Sequence, residues 1–162
     1  MITPKQVHAL MTEIGPVLEL DEVTESIDEE GEGPVWVLRR DDTIVEVDFE
    51  PDTGRLTLQT DIGAVPAERR MAIFEAMLKF NDLWHATGGY RLSLRSEDEI
   101  VSLIVDVPTN ELDITRLAAV VSDCGAKAQI WSHMLTSDQA HSETAPERDQ
   151  EDPFGLGLGL RI

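Results

Sequence analysis

The stretch from Ile62 to Leu94, IGAVPAERRMAIFEAMLKFNDLWHATGGYRLSL, constrains the fold more than any other part of the chain. It reads as strand end, turn, long helix, glycine break and new strand. Pro66 suits a first helical position, because its φ is already fixed and its missing N–H would have no intrahelical partner there. Ala67 to Trp84 contains neither Gly nor Pro and is rich in helix formers. Gly88-Gly89 ends the helix, since glycine takes positive φ without strain. Apolar residues recur at Phe74, Met77, Leu78, Phe80 and Trp84, and with Met71 they spread beyond one stripe. The expectation is a helix covered on two sides, by its own sheet and by a second copy of the chain.

The flanking sequence supplies the sheet. Thr3-Pro4 is an N-cap followed by proline at the first helical position, and Val7, Leu10, Met11 and Ile14 follow at helical spacing up to Gly15-Pro16, read as a stop. Glu19 to Glu32 holds eight acidic residues and no basic one and reads as a solvated loop, with a short extended piece near Val17 to Leu20. Val35–Arg40, Thr43–Glu50 and Arg55–Ile62 alternate as strands around Asp41-Asp42 and Pro51-Asp52-Thr53-Gly54, an antiparallel meander. Tyr90–Arg95 and Ile100–Val107 form a second hairpin. Asp113 caps a last helix whose seam is Leu117, Val120, Val121, Cys124, Ala128, Trp131 and Leu135.

The expected fold class is α+β: an antiparallel sheet of about five strands with three helices, in the order α-β-β-β-α-β-β-α. The domain is expected over residues 1–135. From 136 to 162 the composition turns acidic and polar, then closes on the Leu/Gly strip FGLGLGLRI, which predicts a flexible tail.

Charge narrows the function classes. With 32 acidic and 13 basic residues the net charge is −19, a field that repels nucleic acid and anionic lipid. No signal peptide pattern or apolar run of membrane-spanning length is present in the sequence, and one cysteine suits a reducing cytoplasm. The expectations are a cytoplasmic protein with no nucleic acid partner and no membrane insertion.

The run LTLQTDIGAVP, the helix with MLKFNDLWHATGG, then YRLSL, VSLIVDVP, ELD and AQIWSHML resembles class I type III secretion chaperones, the CesT-type (Tir chaperone) family. Asn81 stands at the position of the family's helix-end asparagine. The resemblance spans about Thr3 to Leu135 and implies a homodimer that binds the N-terminal segment of a secreted effector. Such segments wrap the dimer in extended form, by strand addition and by filling apolar grooves. It implies no cofactor and no catalysis.

The site expectations follow. The helix and the following strand, at Phe74, Met77, Leu78, Leu92 and Leu94, are read as the dimer interface. Val7, Leu10 and Met11 suit both core and an adaptable binding groove. Trp36 and Leu38 are read as outward anchors for the partner, with Val35 and Val37 inward. Asn81 reads most simply as a helix-end hydrogen bond to nearby backbone. His8, His85, His133 and His141 show no metal-ligand spacing, and the acidic runs at Asp28-Glu29-Glu30, Asp41-Asp42 and Glu97-Asp98-Glu99 lack a cation-loop pattern, so no metal is expected. Cys124, on an apolar seam, reads as a buried structural thiol. Two other readings compete with the chaperone: a non-secretory dimeric regulatory module of the same fold (YbjN-like), and an acidic metal-dependent hydrolase.

Overall fold

The structure, a computed structural model, describes residues 2–27, 34–95, 99–110 and 112–137. The first helix, α1 (Pro4–Leu18), opens on a capping box: Thr3 Oγ1 accepts from the Gln6 N–H, and Gln6 Oε1 accepts from the Thr3 N–H at 2.9 Å. It buries Val7, Met11 and Ile14. The helix does not stop at Gly15-Pro16. Pro16 falls in the final turn, where it removes one ladder bond, and the helix closes beyond it. Glu19 takes the left-handed conformation (φ 51°) and the Leu20 N–H bonds the Gly15 carbonyl at 2.9 Å. Gly15 serves packing instead: a Cβ there would sit 3.3 Å from Val23 Cγ2 on the neighbouring strand.

That strand is β1 (Glu22–Ile27), in the segment expected to be a loop, and it raises the sheet to six strands. It is followed by β2 (Pro34–Arg40), β3 (Thr43–Glu50), β4 (Arg55–Ala64), β5 (Arg91–Arg95) and β6 (Ile100–Pro108). The spatial order is β1-β2-β3-β4-β6-β5, antiparallel throughout. β1 forms despite its charge because β2 supplies the ladder and Val23, opposite Leu38, packs on the core, while Glu22 and Glu25 stay in water.

The register also reverses the expected facing of β2. Trp36 pairs with Val47 and Leu38 with Val45, on the helix-covered face, and both are about 1% exposed. Val35 and Val37 take the opposite face, half-buried. A strand cannot put both sets inward, and the larger side chains win the core because they remove more apolar area from water. Trp36 and Leu38 are therefore not outward anchors.

The central helix begins as a single 3-10 turn (Ala67–Arg69) and continues as α2 (Arg70–Asp82). It is shorter than expected: 83–88 form turns that lead to Gly88 and Gly89, at φ 77° and 87°. Ile73 and Met77 are its buried residues. The last helix, α3 (Ile114–Thr136), is capped by Asp113, whose carboxylate accepts from the Arg116 N–H at 2.8 Å, and it buries the expected seam, with Val120 half-buried. Helices α1 and α3 pack together; α3 lies across β3, β4 and β6, and α2 against β5. Phe80 of α2 meets Trp131 of α3 edge-to-face, centroids 5.4 Å apart.

Of the expected tail, residues 136–162, Thr136 still belongs to α3 and Ser137 is its C-cap, while 138–162 lie outside the described residues, as do Asp28-Glu29-Glu30 and Glu97-Asp98.

Candidate functional site

Open grooves flank α1 and α3 among the described residues. The first, about 560 Å³, lies between α1 and β1. His8, Thr12 and Pro16 form one wall, Val23 and Trp36 the floor, and the carboxylates of Glu19, Asp21, Glu22 and Glu25 its rim. His8 Nδ1 lies 2.7 Å from a Glu25 carboxylate oxygen, tying α1 to the edge strand. Asp21 accepts from the Asp41 N–H at 2.7 Å, which fixes the chain entering β1 against the β2–β3 turn.

The second groove, about 330 Å³, runs between the end of α1 and the middle of α3, over the β2–β3 hairpin. Leu18 and Leu20 are half-buried walls, Leu38, Val45 and Val121 the buried floor, and Ser122, Ala126 and Gln129 the α3 side. The third, about 490 Å³, lies between α3 and the β5–β6 hairpin, with Tyr90, Val105 and Val107 among its lining.

The expected partner residues divide accordingly. Trp36 and Leu38 floor the first and second grooves from within the core. Val7 and Met11 are fully buried and hold α1 onto the fold, and Leu10 is half-buried. The sequence reading missed Leu18, Leu20 and Val23, which line the two α1 grooves. Val23 and Ile27, four residues apart and so on one face of an extended chain, were the available signal, masked by Glu25 between them and the acidic run around them.

At the far end of the sheet α2 and the turns that follow it present bare apolar surface. Met71 is 79% exposed, Leu78 70% and Trp84 54%. Of the five residues expected at a dimer interface, Leu78 stands free, Phe74 and Leu94 are half-buried, and Met77 and Leu92 belong to the protomer's own core. Asn81 ties this corner together: its Nδ2 donates to the Leu92 carbonyl at 2.9 Å and its Oδ1 accepts from the Leu92 N–H at 2.8 Å. One side chain thus satisfies the outward backbone groups of Leu92 on β5, an edge strand.

Charged and reactive groups are mostly engaged in holding the fold. On the open face of the sheet Arg91 grips Asp106 with two bonds, 2.8 and 3.2 Å, and Thr57 adds a third at 3.1 Å. Partial burial alone would raise the Asp106 carboxyl, but Arg91, Thr57 and Arg55 together hold it below the ordinary carboxylate value. Burial pushes the Cys124 thiol up, against the contact with Thr60 at 3.6 Å, which leaves it a poor nucleophile. Burial, then the charge of Asp123, raises the Tyr90 phenol, which donates to the Val120 carbonyl. Among the described residues no group of three or more His, Cys, Asp or Glu side chains is placed to hold a metal ion, and no helix is long and apolar enough to cross a membrane.

Residues 18–132 match the model of the Tir chaperone protein (CesT) family. The fold is similar to a chain of the crystal structure of the ExsC-ExsE complex, at TM-score 0.68 and 22% identity over 83% of this chain and 97% of that one. It is also similar to a chain of the HopA1-SchA chaperone-effector complex, at TM-score 0.60 and 13% identity over 78% and 93%. No curated protein matches the chain in sequence.

Proposed function

The chain belongs to the Tir chaperone protein (CesT) family, and on that premise we propose that it is a type III secretion chaperone. It binds the N-terminal segment of a secreted effector and keeps that segment soluble and export-competent in the cytoplasm. It acts by binding, without catalysis or cofactor.

The observation that carries this reading is the pair of grooves along α1. Each has an apolar floor reaching into the core, through Trp36 in one and Leu38 in the other, and each is open along its length. Open grooves of this kind suit an extended polypeptide, which inserts side chains at intervals and leaves its backbone at the rim. Leu10, Val7 and Met11 set the height of α1 above the sheet, and so the width of the grooves. The exposed α2 surface around Leu78, with Phe74 and Leu94 beside it, is the proposed seat of a second copy, and Met77 and Leu92 back it from within.

The test is a titration of the full chain with the N-terminal 100 or so residues of a secreted protein encoded beside it. Sub-micromolar binding by that segment alone supports the chaperone reading. An isolated dimer that captures neither the segment nor the full-length neighbour supports a regulatory module instead.

A further inference from the structure

We propose that the α1–β1 groove selects one chemistry in its client: an extended segment with an apolar residue seated on the floor and a lysine or arginine two positions to either side of it. This rests on the chaperone reading and names the segment that this groove admits.

The register of β1 sets the pattern. Val23 pairs with Leu38 and Glu25 with Trp36, so both turn to the helix-covered face, where Leu38 and Trp36 are about 1% exposed. Asp21, two residues before Val23, falls on the same face by the two-residue period and lines the same groove. Successive inward positions therefore read carboxylate, apolar, carboxylate, with Asp21 and Glu25 roughly 13 Å apart at strand rise. A polypeptide laid along β1 has the same period. An apolar side chain over Val23 and Trp36 then carries the residues at i−2 and i+2 to the two carboxylates, where opposite charges stabilise the pairing.

These carboxylates keep charge to offer. Asp21 is held by a backbone donor, the Asp41 N–H at 2.7 Å, and not by a cation. Glu25 is bonded to His8, the one basic side chain in the groove lining. Glu19, at the C-terminal end of α1, has no ion-pair partner among the described residues, and its charge adds to the negative pole of that helix. Glu22 alone meets an arginine, Arg39 at 3.5 Å. The other grooves among the described residues do not combine an apolar floor with free negative charge. The α1–α3 groove carries Arg40 and Asp41, one charge of each sign. The groove beside Tyr90, Val105 and Val107 carries Arg116, Asp106 and Asp123, and its carboxylates are taken up by Arg91 at 2.8 Å and Lys127 at 2.6 Å. A fourth groove, over Thr43 and Thr60, carries Asp41, Asp42 and Asp61. Ile62 and Ala128 are its only apolar lining, and Asp61 is bonded to Arg95 and Ser102.

The full chain is titrated with end-capped, fluorescently labelled peptides: STKTLTKTS, the charge-reversed STETLTETS and the apolar-deleted STKTSTKTS. At about 50 mM salt STKTLTKTS should bind about tenfold tighter than either of the others, and its margin over STETLTETS should shrink about threefold at about 0.5 M salt. Glu25→Lys should lower that margin about tenfold. Glu46→Lys makes the same change in net charge on the open sheet face, opposite Val37, and should leave the margin within about twofold. Glu25→Gln, isosteric and able to keep a bond to His8, should lower the margin about threefold and decides the matter if the lysine variant does not fold. Equal affinity for the peptides, binding of none, or equal losses at Glu25 and Glu46 overturn the proposal; equal losses would leave only the general field of a chain at −19. A segment of the neighbouring secreted protein that binds with sub-micromolar affinity, while the peptides show no preference, sinks this selectivity and leaves the chaperone reading standing.

Discussion

The two ends of the sheet solve the edge-strand problem in opposite ways. At the β1 end, carboxylates surround the edge, an apolar floor lies sunk beneath them, and α1 reaches over through the His8–Glu25 contact. At the β5 end the edge is blocked by Asn81, while the apolar surface stands outside, at Met71 and Leu78 on α2 and Trp84 in the turns after it. Charged edges deter pairing with arbitrary strands, and a side chain bonded to the edge backbone does the same by occupancy. The difference is where each end keeps its apolar area. Sunk under a groove, that area suits the extended client segment proposed above; displayed on a helix, it suits the flat contact proposed for a second copy.

The comparison breaks most visibly at Trp36. Because the side chain is core as well as groove floor, Trp36→Ala should cost about 3–5 kcal/mol in denaturant unfolding, the range for a buried large-to-small change. A loss below 1 kcal/mol would return Trp36 to the surface and erase the contrast between the ends.

At the other end, Met71→Asp with Leu78→Asp should weaken self-association at least tenfold, about 1.4 kcal/mol, in sedimentation equilibrium. Both side chains are exposed, so the protomer's own stability should move by less than about 0.5 kcal/mol per site. Val17→Asp, at an exposed apolar position on α1, should leave association unchanged. A parent chain that is monomeric at micromolar concentration would remove α2 as a second-copy surface.

Asn81→Ala tests the block itself. It deletes two hydrogen bonds and leaves the Leu92 N–H and carbonyl to water, a loss of about 1–2 kcal/mol, with faster amide exchange at Leu92. Unchanged exchange would mean that α2, not Asn81, guards that edge.

The smallest effect is electrostatic, on the sheet face between the two ends. The Asp106 carboxyl is held low in the fold, so its contribution is present above the ordinary unfolded value near pH 4 and fades as pH falls through the lowered folded value. Asp106→Asn should flatten that acid limb while changing neutral-pH stability modestly. An unaltered acid limb would show that the Arg91 pair does not contribute.

How much was legible varies with the kind of signal. The Thr3 N-cap, the Asp113 cap and the α3 seam are local patterns, and they stand as read. The Gly15-Pro16 stop failed because a proline in a last turn costs one bond, and the glycine answers to Val23, eight residues on. β1 was illegible because its stability lies in the β2 ladder, which no count of its own carboxylates reports.

The sequence by itself determined the elements other than β1, the antiparallel meander β2–β4, the β5–β6 hairpin and the acidic field, since these depend on residue periodicity, capping and summed charge. It also carried the family, through a pattern spread from the strand before α2 to the end of α3. Only the tertiary structure decided which face of β2 is inside, because Trp36–Leu38 and Val35–Val37 alternate equally well. The choice falls to the pairing with Val45 and Val47, and to the volume that α1 and α3 must fill above them. The same packing decided where apolar surface is sunk and where it is displayed, since exposure is set by every neighbour at once.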